Sequence, residues 1–318
     1  MGKLRGFTLL NAVLWLCLIG GQSQPSFAGS EISSAEELVA QHVKSLGNPG
    51  ILSSLQSRSF VGGTTVKFIQ GMNGSMSGVS TLVSDGRKLS IMLKFKDPDY
   101  PGEYFAFDGK EVSVGHMSPG QRSPIADFIF RFNGIMKEGF LGGALSVSWP
   151  LLDIKNKNPE LKYKKTKVDG RDLYELEYHP KNTLQNMKIK MYFDPETFHH
   201  VRTEYTVRIR DDVSVQNTDS VQDAGGDLSK TSTTYDVKVR ASTMKDANVF
   251  SAIPDSIYHL VEKFDDFKKV SGMTLPHSYT MEYSVEGQGN TFIGQWDLKA
   301  NQWVINRSYK EEIFKAQK

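Results

Sequence analysis

The chain has 318 residues, of which 38 are basic, 36 acidic and 39% hydrophobic, and it contains a single cysteine. A net charge of +2 argues against electrostatic capture of nucleic acid or of an anionic membrane surface. A lone cysteine excludes an internal disulfide, so stability must come from an apolar core.

The first segment reads as an export signal. Lys3 and Arg5 precede an apolar run from Phe7 to Ile19, and a polar stretch closes on Ser26-Phe27-Ala28. This is the order of a cleavable secretory signal over residues 1–28. The run is too short to span a membrane, which takes about 20 residues. An uncleaved anchor fits Ser26 and Ala28 less well. Cys17 lies inside the run, after Leu16 and before Leu18 and Ile19, which is not the setting of a lipoprotein signal. Two of the basic residues and none of the acidic ones fall in this segment, so residues 29–318 are close to neutral. No Pro- or Ser-rich linker divides them, which predicts one domain.

A helix follows. Ser34 stands three residues before Glu37, the capping-box spacing, and Ala35, Leu38, Val39, His42, Val43 and Leu46 recur at helical intervals up to Gly47. Pro49 can open a second, short helix. From about Ser57 the period changes to two. Leu89, Ile91, Leu93 and Phe95 alternate with more polar neighbours, as do Phe105 and Phe107, and Tyr174, Leu176 and Tyr178. Ile189, Met191 and Phe193 repeat the pattern, and so do Tyr279, Met281 and Tyr283. Asp85-Gly86, Asp108-Gly109 and Asp169-Gly170 mark tight turns. Many strands joined by short turns predict an antiparallel meander, because parallel strands need long crossovers.

Two segments break that rhythm. Between Ser123 and Ile154, residues Ile125, Phe128, Ile129, Phe132, Ile135 and Met136 follow helical spacing, and Gly134, Gly139, Gly142 and Gly143 surround or interrupt them. The ordinary reading is a helix that covers one face of the sheet. The functional reading is a movable helix, Phe128–Met136, roofing an apolar hollow. Periodicity alone does not separate the two. The second segment, Asp211–Thr234, is polar and reads as a mobile loop.

No catalytic pattern is evident. The sequence lacks Gly-x-Ser-x-Gly, His-Glu-x-x-His and a phosphate-binding glycine loop. His199 and His200 would point to opposite faces of a strand and so could not share a metal. Asp211-Asp212 and Asp265-Asp266 read as solvated turn residues. The expectation is a protein with no enzymatic activity, no cofactor and no metal.

Several stretches resemble the outer-membrane lipoprotein-sorting family of the LolA/LolB type. They are Glu37–Gly47, the strand–turn–strand unit Tyr192–Tyr205 with its Asp194-Pro195-Glu196-Thr197 turn, and Lys269–His277. The resemblance implies an α+β fold: a curved antiparallel sheet forming an incomplete barrel, with helices packed into its concave side as a lid. It implies a monomeric periplasmic carrier that binds lipoprotein acyl chains or another lipid and moves them toward the outer membrane. Transfer proteins of the inner and outer membrane would be its partners. The arginine that helps such carriers hold the lid has no fixed place in this sequence, and Arg58 and Arg87 are its candidates. The ligand space would be bounded by Leu93, Phe95, Phe105, Phe107, Ile125, Phe128, Ile129, Phe132, Met136, Leu141, Trp149, Met191 and Phe193, with Trp149 at the mouth and its indole N–H outward. A periplasmic sensor or protein-interaction module on the same fold is the alternative, binding a partner through the sheet edge or the Asp211–Thr234 loop. A hydrolase with an unrecognised site is a third reading.

Overall fold

The computed structural model describes residues 32–71, 74–181, 184, 187–209, 256–286 and 291–316. The expected export signal and the Asp211–Thr234 loop lie outside the described residues. The first helix, α1, spans Ala35–Leu46, and the Ser34 hydroxyl accepts its Glu37 N–H at 3.1 Å. The return bond of the capping box is displaced by one residue: the Glu37 carboxylate accepts from the N–H and hydroxyl of Ser33. A short α2, Pro49–Ser53, follows with proline in its first turn.

Twelve strands then form one antiparallel sheet that does not close into a barrel. They are β1 (Ser57–Gln70), β2 (Gly74–Asp85), β3 (Lys88–Phe95), β4 (Gly102–Phe107), β5 (Val112–Val114), β6 (Glu160–Val168), β7 (Arg171–His179), β8 (Met187–Phe193), β9 (His200–Ile209), β10 (Ser256–Val270), β11 (Met273–Glu286) and β12 (Phe292–Ile305). Their spatial order is β5-β4-β3-β2-β1-β12-β11-β10-β9-β8-β7-β6. Each strand pairs with its sequence neighbour, except where β1 meets β12 and where the chain leaves β5 for β6. The segment between β5 and β6 therefore has to cross from one edge of the sheet to the other.

Turn chemistry fixes the hairpins. Asp169 and Gly170 both have positive φ, as do Ser271 and Gly272, which is the geometry that matches strand twist. At the β2–β3 corner the loop residues are Gly86 and Arg87, since Asp85 still pairs with Lys88. The Asp194 side chain accepts from the Glu196 and Thr197 N–H groups, closing the Asp194–Thr197 turn.

The sheet must be strongly bent. Twelve strands laid flat would span about 50 Å. Yet α3 (Pro124–Arg131), which packs on β4 and β5 at one edge, also brings the Phe128 ring within 5.2 Å of Tyr283 in β11 and 6.2 Å of Tyr258 in β10. One continuous apolar core lies inside this bend. Leu93, Phe95, Phe105, Phe107, Ile189, Met191 and Phe193 all face it, in line with their alternation.

The crossing segment corrects one expectation. Phe128–Met136 is not a single helix. α3 ends at Arg131, Phe132 takes φ −104° and ψ 44°, and a one-turn α4 restarts at Gly134–Lys137. Phe132 thereby turns its ring onto Phe128 and Tyr258, at 4.9 and 6.0 Å, and packing outweighs helix continuity. Two 3-10 turns, Gly143–Leu145 and Pro150–Asp153, and α5, Ile154–Lys157, complete the crossing.

The glycines serve close approach as well as turning. Gly139 has φ +83°, and a β-carbon there would sit 2.2 Å from the Ser148 carbonyl oxygen. Gly170 has φ +80° with open space around it. Gly139→Ala should therefore lower stability by more than about 2 kcal/mol, against about 1 kcal/mol for Gly170→Ala. Equal urea midpoint shifts for the two variants would show that the Gly139–Ser148 approach is not tight.

Candidate functional site

The concave face carries a few charged residues among its apolar ones, and each is bonded to the crossing segment or its cap. Arg58 stands two residues before Phe60 on β1 and is only 1% exposed. Its Nη2 donates to the Ser146 carbonyl at 2.6 Å, and its Nε has no acceptor. Among the described residues no carboxylate pairs with it. Burial pulls the guanidinium down to about 9, which still leaves it charged at neutral pH. Ser84, opposite Arg58 on β2, accepts the Val147 N–H at 2.9 Å, and its hydroxyl lies 3.4 Å from that of Ser146.

Glu262 lies between Leu260 and Phe264 on β10 and is fully buried. Its carboxylate accepts from the Gly142 N–H at 2.7 Å and from the hydroxyls of Tyr279 and Tyr205, each at 2.6 Å. Glu103 on β4 accepts from Tyr100 at 2.5 Å and from Ser123 at 2.8 Å, and Ser123 also caps α3 through the Ala126 N–H. Burial pushes both carboxyls up to about 7, against the lowering pull of these donors.

The fourth contact joins the segment to α1. Trp149 is fully buried, and its indole N–H donates to His42 Nε2 at 3.2 Å, so His42 carries its proton on Nδ1 and donates to the Phe198 carbonyl at 3.0 Å. This corrects the expectation of an outward indole: the ring lies between His42 and His200, stacked on the latter at 4.9 Å. Burial holds His42 down to about 4 and His200 well below its ordinary value. His199 faces away from His200 and stacks on Phe267 instead. Among the described residues no group of His, Cys, Asp or Glu is arranged to hold a metal.

The residues read from sequence as a ligand lining all belong to, or pack against, the one core: Leu93, Phe95, Phe105, Phe107, Ile125, Phe128, Ile129, Met136, Leu141, Trp149, Met191 and Phe193 are buried and Phe132 is half-buried. Of the two candidate arginines, Arg58 reaches the crossing segment, while Arg87 is exposed in the β2–β3 turn. Sequence reading missed Glu103, Glu262 and Ser84. The signal was parity: Glu103 shares its strand face with Phe105 and Phe107, and Glu262 with Leu260 and Phe264.

No family model and no curated protein matches the chain. Among solved structures, a LolA superfamily protein from Nitrosomonas europaea is 11% identical, with a TM-score of 0.38, covering 89% of this chain and 98% of its own. A Pseudomonas aeruginosa MucA/MucB complex is 9% identical, with a TM-score of 0.22 and coverage of 85% and 94%. A structure of MucB with MucA(peri) is 8% identical, with a TM-score of 0.21 and coverage of 84% and 94%. With every TM-score below 0.5, these are distant likenesses.

The raised carboxyls make stability pH-dependent. A carboxyl whose folded value lies above its ordinary 4.5 stabilises the fold fully below 4.5 and loses that contribution as pH rises through about 7. His42 works the other way, costing stability as pH falls below 6.5 toward 4. Between pH 6.5 and 8 His42 and His200 each still recover about 0.4 kcal/mol, because an unfolded histidine is half protonated at 6.5, and they offset part of the carboxyl loss. Over that window each carboxyl should lose about 0.8 kcal/mol, so the urea-derived stability of Glu262→Gln should rise by about that much relative to the wild type between pH 6.5 and 8. A Glu262→Gln profile that runs parallel to the wild type's would contradict the assignment.

Proposed function

We propose that the protein is an exported, non-enzymatic carrier of a hydrophobic ligand, holding a lipid or lipoprotein acyl chain between the concave face and the crossing segment. The observation that supports this reading is how the segment is fastened. It covers the apolar face of the sheet, yet its polar bonds include one to a buried arginine that has no counter-charge among the described residues. Opening exposes apolar surface at about 25 cal/mol per Å², but it also returns Arg58, Glu103 and Glu262 to water. Closure is thus weaker than its apolar area implies.

An entering acyl chain replaces the exposed apolar contacts. A chain of about 16 carbons can contribute on the order of 12 kcal/mol at about 0.8 kcal/mol per methylene. Shape and dryness suffice for holding it, and no catalytic group is required. The resemblance to the lipoprotein-sorting family supplies the direction, movement through the periplasm toward the outer membrane, with membrane transfer proteins as donor and acceptor. The signal-like residues 1–28 are consistent with that compartment. Among the described residues no helix is long and apolar enough to cross a membrane.

A second reading, capture of a partner protein, has one observation in its favour. β6 is an edge strand of nine residues, and an added strand could pair along its outer side. Its Lys162, Lys164, Lys165 and Lys167 would favour an acidic partner.

A fluorescent acyl probe separates the readings. The wild type is expected to bind it saturably. Phe132→Glu, which puts a charge at the break between α3 and α4, should weaken binding by at least about tenfold. Negligible binding in both proteins would remove the reason for calling this space a ligand site.

A further inference from the structure

At one rim of the sheet lies a cleft of about 740 Å³, bordered by the β2–β3 turn, the residues after α2, and the crossing segment. We propose that this cleft binds the anionic headgroup of an amphiphile, with Arg87 and Lys137 receiving the anion and Arg58 as a deeper anchor behind the strap Ser146–Ser148. The proposal rests on the acyl-carrier reading and names the part of the ligand that stays outside the core.

The charges around the cleft support a net positive offer. Two of its three acidic side chains have a cationic neighbour: Glu138 is paired with Lys157 at 2.7 Å, and Asp85 lies 3.7 Å from Lys88, which also binds Glu311, whereas Asp153 accepts only from the neutral Asn156 amide at 2.6 Å. Arg87 and Lys137 line the same cleft, are exposed, and form no ion pair with the described residues. The charges without an ionic partner among the described residues are therefore two cations against the single carboxylate of Asp153, and one of the cations is a guanidinium suited to paired bonds with a phosphate or carboxylate. The rest of the lining includes Leu55, Val147, Trp149 and Leu152, which suits the start of an alkyl chain.

The strap couples the cleft to the core. Val147 and Ser148 line the cleft, while the preceding Ser146 carbonyl takes the Arg58 bond on the inner side. The Arg58 Nε, without an acceptor, leaves capacity for an anion. A headgroup that displaces the strap exchanges a neutral carbonyl for a charged acceptor, a stronger partner for a buried guanidinium. The same displacement removes one bond that closes the sheet, so headgroup recognition and chain entry become one event.

The test compares dodecyl phosphate, dodecyl maltoside and inorganic phosphate, below micelle concentrations, as competitors of the acyl probe on the full chain lacking residues 1–28. The expected result is that dodecyl phosphate binds at least about tenfold tighter than dodecyl maltoside, and that inorganic phosphate competes only weakly. The double variant Arg87→Gln/Lys137→Gln should lose that preference while keeping its maltoside affinity. Equal affinities in the wild type, or a preference unchanged in the double variant, would overturn the headgroup site and leave the acyl reading standing. Binding of neither amphiphile would overturn both. Phosphate alone binding as tightly as dodecyl phosphate would make this a free-anion site and overturn the amphiphile. Arg58→Met, checked for folding by circular dichroism, should lower the preference further, and no change would strike Arg58 from the site.

Discussion

Among the described residues the buried Arg58 guanidinium has no carboxylate partner and donates to one carbonyl, and that carbonyl belongs to the segment that closes the sheet. Removing a charge from water is costly unless good partners replace the water, and Arg58 has the Ser146 oxygen and an idle Nε. The sheet imposes this arrangement. Its two edge strands, β5 and β6, are joined by the crossing segment, which must run over the concave face. The chain therefore meets the inward side chains of β1, β4 and β10 on its way across, and there it finds Arg58, Glu103 and Glu262.

These contacts set closure apart from ordinary core packing. Phe128, Ile129, Leu141 and Trp149 bury apolar surface, which favours the closed state without regard to pH. Glu103 and Glu262 oppose it increasingly as they ionise, because burial outweighs the donors that their carboxylates have and no cation pairs with them among the described residues. Arg58 opposes it throughout the neutral range. On the proposed carrier reading, the closed state is thus a sum of opposing contributions that the binding energy of a ligand can shift. Close backbone approaches at Gly139 and Gly143 give the segment a defined seat to return to, with Gly143 set against Phe264 and His200.

Most of the sheet was legible from alternation, because period two assigns each side chain to a face regardless of which strands pair. The Asp169-Gly170 hairpin and the α1 cap were legible from local chemistry. The break at Phe132 was not, because nothing local forbids a helix there, and its cause is the aromatic cluster formed with Tyr258, a residue far along the chain. The orientation of Trp149 also depended on a distant partner, His42. The buried polar contacts were partly legible. A charge at inward parity, as in Arg58-x-Phe60 or Leu260-x-Glu262-x-Phe264, marks a buried polar site, but the sequence does not say that its partner lies in the crossing segment. The polar loop Asp211–Thr234 and the export signal lie outside the described residues.

For a ligand to enter by the proposed route, the strap must leave the sheet. Ser84 and Ser146 allow a direct test, since their hydroxyls lie 3.4 Å apart and the only cysteine in the sequence, Cys17, falls in the segment read as a cleaved signal. In Ser84→Cys/Ser146→Cys, an oxidised bridge would tie the strap to β2. The expected result is that the oxidised protein binds the acyl probe at least about tenfold more weakly than the same protein after reduction, with unchanged circular dichroism. Equal saturable binding in both redox states, with the bridge verified by mass spectrometry, would contradict entry by this route.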